Sequence, residues 1–140
     1  MQLERIVTPA QIAAVAELAR EIWTEHYTPI IGAAQVAYML ARFQSAAAIA
    51  RQIADEGHEY YLAPDAGYLA LVPDPAQARM LLSKIYVKAA RRGTGLGREL
   101  VEFAVRRCRQ AGCTELWLTV NRRNAGSIAF YGRMGFVRTK

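Results

Sequence analysis

Arg91-Arg92-Gly93-Thr94-Gly95-Leu96-Gly97-Arg98 is the stretch on which the reading of this chain turns. The apolar run Met80-Leu81-Leu82-Ser83-Lys84-Ile85-Tyr86-Val87 precedes it and predicts a strand. An amphipathic segment from Glu99 to Ala111 follows and predicts a helix, with Leu96, Leu100, Phe103 and Ala104 buried and Gly112 as its stop. A glycine-rich turn between a strand and a helix N-terminus is a natural anion site. The first backbone N–H groups of a helix lack intrahelical partners, and the helix dipole adds partial positive charge. The ligand expected there carries phosphates.

Two familiar phosphate loops fail against these residues. A nucleotide-hydrolysing loop needs G-x-x-x-x-G-K-[ST], but Arg98 and Glu99 follow Gly97. The dinucleotide fingerprint needs G-x-G-x-x-G; Gly93 and Gly95 fit it, and Arg98 occupies the third glycine position. The pattern [QR]-x-x-G-x-[GA] is met from Arg92 through Gly95 to Gly97.

Arg92 to Gly97, then Asn124, then Phe130-Tyr131-Gly132-Arg133-Met134-Gly135-Phe136 together resemble the Gcn5-related N-acetyltransferase (GNAT) superfamily. Tyr38-Met39-Leu40, Phe43-Gln44-Ser45 and Leu82 to Val87 look similar to its small bacterial members that acetylate polyamines or other small amines. The resemblance is strong from about Leu81 to Phe136 and loose before it. It implies an α/β fold of the α+β kind, a twisted mixed sheet, mostly antiparallel, flanked by helices. One acetyltransferase domain would span residues 1–140. Its activity would be N-acetyl transfer from acetyl-CoA, as co-substrate, to a primary amine by direct attack in a ternary complex.

The resemblance also assigns residues. Arg92, Gly93, Thr94, Gly95, Leu96, Gly97 and Arg98 would hold the pyrophosphate of coenzyme A. Ile85, Tyr86 and Val87 would pair with the pantetheine arm as with an added strand. A backbone N–H there, foremost that of Val87, would polarise the thioester carbonyl. Asn124 would hold the pantetheine, although its plainer reading is a helix N-cap, and both can be true. Ser127 and Arg133 would reach the pyrophosphate and ribose phosphate. Tyr131 is the expected catalytic acid: a phenol with a pKa near ~10 can protonate a thiolate leaving group.

The general base does not carry over. Histone-type members bear an acid early on the strand before the loop, where this chain has Met80-Leu81-Leu82. Glu25, His26, His58, Glu59 or water are the alternatives. Trp23, Tyr27, Tyr38 and Tyr60 are candidates to line the acceptor pocket, since aromatic faces favour a cation; plain core packing competes with that reading at each.

A chain of 140 residues suits one domain with a real core. No apolar run reaches membrane-spanning length, and Met1-Gln2-Leu3-Glu4-Arg5 lacks the form of a signal peptide. A cytoplasmic location is expected, with Cys108 and Cys113 as free thiols whose spacing fits no zinc site, so no metal is expected. Residues 79–140 hold 14 basic and 3 acidic residues, a net of +11, whereas residues 1–78 hold 4 and 9, a net of −5. The basic half suits coenzyme A and the acidic half a cationic small-molecule amine, polyamine-like acceptors among them. Nucleic acid fits less well, because aromatics are not interleaved with the basic residues. A non-catalytic acyl-CoA-binding or regulatory module and a nucleic-acid-binding domain are the two competing function classes.

The remaining elements follow from pattern. Leu3 to Val7 reads as a strand. Thr8, Pro9 and Gln11 form a capping box opening a helix to about His26, with Pro29 and Gly32 interrupting. A second helix is predicted over Ala33 to Phe43 with Val36, Met39, Leu40 and Phe43 on one face, and a third from Ser45 to Gly57. His58 to Ala63 and Tyr68 to Val72 predict a hairpin about Pro64-Asp65-Ala66-Gly67, with Pro73-Asp74-Pro75 as a stiff loop. Glu115 to Val120 predicts a further strand, and Asn124 to Gly135 the last helix. Only a stub of strand fits after Gly135-Phe136, so the C-terminal hairpin of the family is expected to be incomplete. Truncation, a missing C-terminal part, or a second copy completing the edge as a homodimer would each account for that.

Overall fold

Thr8 Oγ1 accepts from the Gln11 N–H at 3.2 Å, and Gln11 Oε1 accepts from the Thr8 N–H at 2.9 Å. This reciprocal cap, with Pro9 in the first turn, launches helix α1 (Pro9–Ile31) behind the short strand β1 (Glu4–Arg5). The computed structural model describes residues 2–120 and 122–139. Helix α1 buries Ile12, Val15, Leu18, Ala19, Ile22 and Trp23 along one stripe. It does not end at His26 but runs five residues further, with Pro29 inside its last turn. Pro29 has no N–H for the Glu25 carbonyl. Glu25, Pro29, Ile30 and Ile31 are all exposed, so solvent can reach the carbonyl left over.

Helix α2 (Ala33–Met39) starts after Gly32, whose φ is 87°. The helix predicted to continue to Phe43 instead widens into a π-helical turn, Leu40–Gln44. The wider turn rotates the face. Val36 is buried, but Phe43 is 41% exposed and Gln44, at 1%, points inward in its place. Ser45 then caps helix α3 (Ala46–Asp55), accepting from the Ala48 N–H at 3.1 Å.

Strands β2 (Glu59–Ala63), β3 (Gly67–Asp74), β4 (Arg79–Val87) and β5 (Glu115–Trp117) complete one sheet in the order β1-β2-β3-β4-β5. Every neighbour pair is antiparallel except β4 with β5. The β2–β3 turn has Pro64 followed by Asp65 at φ 55°, closed by the Ala66 N–H on the Ala63 carbonyl at 3.0 Å. Strand β3 is longer than predicted: Pro73 and Asp74 still pair with Met80 and Arg79. Helices α4 (Leu96–Gln110) and α5 (Ala125–Arg133) follow.

Alternation sorts the sheet into two faces. Tyr60, Leu62, Tyr68 and Ala70 pack against α1, α2 and α3, whereas Tyr61, Leu69, Leu71, Met80 and Leu82 pack against α4. Strand β5 ends at Trp117 and not at Val120; Leu118 still touches the α4-side core, but Val120 is exposed. Phe136 packs on that same core, and residues 137–139 form no strand, so the predicted stub is absent.

Candidate functional site

The site begins at a defect in β4. Leu71 pairs with Leu82 and Ala70 with Lys84, which leaves Ser83 as the extra residue of a bulge. A bulge bends its strand and increases the local twist. The parallel pairing with β5 ends at Leu81–Trp117, two residues earlier. From Ser83 to Val87 strand β4 keeps β3 on one side and, among the described residues, has no strand on the other.

That open edge carries hydrogen-bonding groups in a fixed order. The Lys88 N–H donates to the Ala66 carbonyl at 2.8 Å, one position beyond the Val87–Gly67 pair. Antiparallel ladders alternate, so Lys84 and Tyr86 direct their N–H and C=O groups to β3. Ile85 and Val87 direct theirs to the open side. Gly67 agrees with this register: a Cβ there would lie 2.6 Å from the Tyr86 carbonyl oxygen, which points across to β3.

Beyond Val87 the chain makes a 3₁₀ turn, Ala89–Arg91, and enters the glycine loop. Gly93 and Gly95 have φ of 78° and 86°, the left-handed region that side chains disfavour. Helix α4 starts at Leu96, three residues before the predicted Glu99, with Gly95 as its N-cap. Its first hydrogen bond is Glu99 N–H to Gly95 O at 3.1 Å, so the N–H groups of Leu96, Gly97 and Arg98 face out of the helix end. Arg91, Arg92 and Arg98 are exposed, and none forms an ion pair with a described residue. Donors and cations thus converge where an anion would sit.

Gly97 serves a different purpose. It lies inside α4, and a Cβ there would meet the Phe130 ring at 3.2 Å. Its smallness lets α5 close on α4, which sets the next residue, Tyr131. Asn124 caps α5 by accepting from the Ser127 N–H at 3.1 Å, so its plainer reading is realised, and its amide NH₂ has no partner among the described residues. Ser127 is half-buried and Arg133 exposed. Tyr131 is half-buried, edge-on to Phe130 and Phe136 at 5.4 and 5.7 Å between centroids. Burial first, and the Tyr27 phenol second, push its pKa up. It is a protonated phenol at neutral pH, the form a proton donor needs.

Tyr131 shares its surroundings with Tyr27 and Tyr86. Burial raises the Tyr86 phenol strongly, with Tyr27 next and Tyr131 a smaller contributor. Trp23 packs edge-on to Tyr27 and tilted against Tyr86, each at 5.4 Å. The sheet face beside them holds a polar network. Tyr60 OH donates to Gln52 Oε1 at 2.5 Å, Tyr68 OH to Gln44 Oε1 at 2.6 Å, and Gln44 Nε2 to Tyr60 OH at 3.1 Å. Gln52 Nε2 reaches the Phe43 carbonyl at 2.9 Å. Burial pushes Tyr60 up to about 12. Lys84 borders this network, and burial lowers its ammonium to about 8.

The candidate residues therefore separate. Trp23, Tyr27 and Tyr60 line this face, but Tyr38 is 56% exposed and accepts from Arg42 at 3.3 Å. Glu59 is removed from the base candidates: it lies on the α4 face, held by Arg107 at 2.9 Å through both oxygens and by Tyr61 OH at 2.8 Å. Burial opposes ionisation of Glu59, but Arg107 and Tyr61 outweigh it and hold the carboxyl below its usual range. His58 stacks on Tyr60 at 6.2 Å, and burial with Lys84 nearby lowers its pKa. Glu25 and His26 are exposed, and His26 touches the phenol group edge-on to Tyr27 at 4.7 Å. Gln44, Gln52 and Lys84 were not anticipated as site residues. A lysine inside the apolar run Leu82 to Val87 is the one signal that could have found them.

The fold recurs among known proteins. The PaiA N-acetyltransferase of Thermoplasma acidophilum, solved in complex with coenzyme A, superposes with a TM-score of 0.77 over 98% of this chain and 91% of its own, at 20% identity. An N-alpha-acetyltransferase (MAK3) of Arabidopsis thaliana is 43% identical over 49 residues, 35% of this chain and 26% of its own. The streptothricin acetyltransferase of Streptomyces lavendulae is 38% identical over 71 residues, 51% of this chain and 38% of its own. The chain thus spans between about a quarter and two fifths of the length of these two curated relatives. Residues 13–136 match the acetyltransferase (GNAT) family, and the chain belongs to it.

Proposed function

We propose that this chain binds acetyl-CoA along the open edge of β4 and transfers the acetyl group to a primary amine. The observation that carries this reading is the continuity of donors, from the outward N–H groups of Ile85 and Val87 to those of Leu96, Gly97 and Arg98. The pantetheine arm would extend β4 as an added strand. The diphosphate would lie at the α4 N-terminus, beside Arg92 and Arg98. Asn124 has its NH₂ to offer the pantetheine amides, and Ser127 and Arg133 flank it on α5.

In the reaction, a neutral amine attacks the thioester carbonyl in a ternary complex. The outward N–H groups of Ile85 and Val87 stabilise the oxygen charge that develops. The C–S bond breaks, the departing thiolate takes the Tyr131 proton, and the phenolate recovers one from solvent. The amine's proton leaves to water or to His26, which reaches the phenol group through Tyr27. The net charge of −5 over residues 1–78 supports an acceptor that arrives as a small cation, polyamine-like amines included. Streptothricin in one relative's name supports a small-molecule acceptor, and the N-alpha designation of another a peptide terminus.

Titration calorimetry with acetyl-CoA, followed by thiol release with a panel of small amines and peptides, tests the reading. One molecule bound per chain and amine-dependent thiol release are expected. No binding at millimolar acetyl-CoA would reject it, and binding without turnover on any amine would leave a carrier module.

A further inference from the structure

Lys84 carries a charge that the fold does not answer. It follows the bulged Ser83 on β4 and shares the α1–α3 face with Tyr86. Its Nζ reaches Gln52 Oε1 at 3.4 Å and Ser83 Oγ at 3.3 Å, and it lies 5.7 Å from the Tyr60 ring centroid. Among the described residues no carboxylate lies within 4.0 Å of it. Gln52 Oε1 accepts from Tyr60 OH as well. An ammonium has three donors, and both of its partners are neutral and distant. Glu56, exposed at the end of α3, acts on it only from afar, and His58 adds no negative charge.

An ammonium withdrawn from water without a counter-charge is costly. The position makes this one useful. Ile85, the next residue, turns its N–H to the open edge where the thioester would lie. Lys84 shares its face of β4 with Tyr86, and its flexible side chain now lies over Ala70 of β3 toward the Tyr60 ring.

We propose that Lys84 selects acceptors that carry a carboxylate as well as the reacting amine, pairing with the carboxylate while the amine meets the β4 edge. This rests on the acyl-transfer reading above and departs from it on the acceptor, since it disfavours polyamines. A diamine would set its second ammonium against Lys84, so the cationic character of the acceptor is confined to the reacting end.

Three amines with one four-carbon skeleton test it: 4-aminobutyrate, butylamine and 1,4-diaminobutane. Wild-type kcat/KM is expected to favour 4-aminobutyrate over butylamine by roughly 10- to 100-fold, the worth of one hydrogen bond to a charged group, with 1,4-diaminobutane last. Lys84→Gln should erase the preference mainly through KM. Lys84→Glu should invert it, an outcome that misfolding cannot produce. A readout free of turnover uses the three lysines of the chain, Lys84, Lys88 and Lys140. With coenzyme A bound, 4-aminobutyrate should shift the side-chain NMR signal of Lys84 and raise its titration midpoint, and butylamine should not. A responding Lys84 in a protein that acetylates no amine would reject acyl transfer and keep the carboxylate site. An unmoved Lys84 signal, or wild type and Lys84→Glu ranking the three amines alike, would overturn the proposal.

Discussion

On the α4 face of the sheet, the Glu59 carboxylate is gripped by Arg107 through both oxygens at 2.9 Å, with Tyr61 OH on one of them. On the opposite face, Lys84 meets two neutral oxygens at 3.3 and 3.4 Å. Both charges sit on strands of the same sheet. The difference separates a charge that serves the fold from one left available for a ligand. The first shares its face of the sheet with the apolar packing of Leu69, Leu71, Met80 and Leu100, and a network of amides and phenols borders the second.

The largest effect is expected at the reacting end, bordering the second face. Tyr131→Phe should lower kcat by roughly 10²- to 10⁴-fold with the KM for acetyl-CoA nearly unchanged; undiminished turnover would remove it as the acid. Arg107→Ala should leave the Glu59 carboxylate with only Tyr61 OH and the longer Arg5 contact at 3.8 Å. A loss of about 1–3 kcal/mol is expected in urea unfolding, with the ranking of amines retained. The Glu59 contribution has a definite sign. Its folded pKa is depressed below the ordinary 4.5, so the stabilisation is present above that pH and is lost as pH falls through the folded value.

Lys84→Met should move in the opposite direction from Arg107→Ala, raising the thermal midpoint while weakening acceptor discrimination. In the wild type the folded pKa of about 8 lies below the ordinary 10.5, so the unfolded chain binds more protons between them. Stability should therefore climb across that window relative to Lys84→Met, and a parallel pair of curves would show that the lysine is not desolvated. Gly97→Ala should cost about 1–3 kcal/mol by overpacking against Phe130 and should lower turnover by displacing α5. Thr8→Ala, at the far end of the chain from the loop, should cost about 1 kcal/mol and leave turnover alone.

What the sequence disclosed was local. Thr8 and Gln11, Ser45, and Asn124 announce helix starts because a cap is a contact three residues long. Gly93 and Gly95 announce a loop because their backbone needs the left-handed region. The misread boundaries have equally physical origins. Pro29 is tolerated because it falls in an exposed last turn, and the π-helical turn at Leu40–Gln44 exists to bring Gln44 to Tyr60 and Tyr68, 16 and 24 residues away. The Glu59–Arg107 pair spans 48 residues, and no periodicity encodes it. The bulge at Ser83, which opens the edge of β4, depends on the register with β3 and leaves no composition signal. The glycine loop was therefore legible, and the Lys84 face of the sheet was not.

If the β4 edge past the bulge receives the acyl carrier, backbone amide NMR during an acetyl-CoA titration will show it. The Ile85 and Val87 N–H resonances should shift and become protected from exchange as the cofactor binds. Those of Lys84 and Tyr86, already paired to β3, should keep their protection unchanged. Saturation by acetyl-CoA with Ile85 and Val87 unmoved would contradict the account.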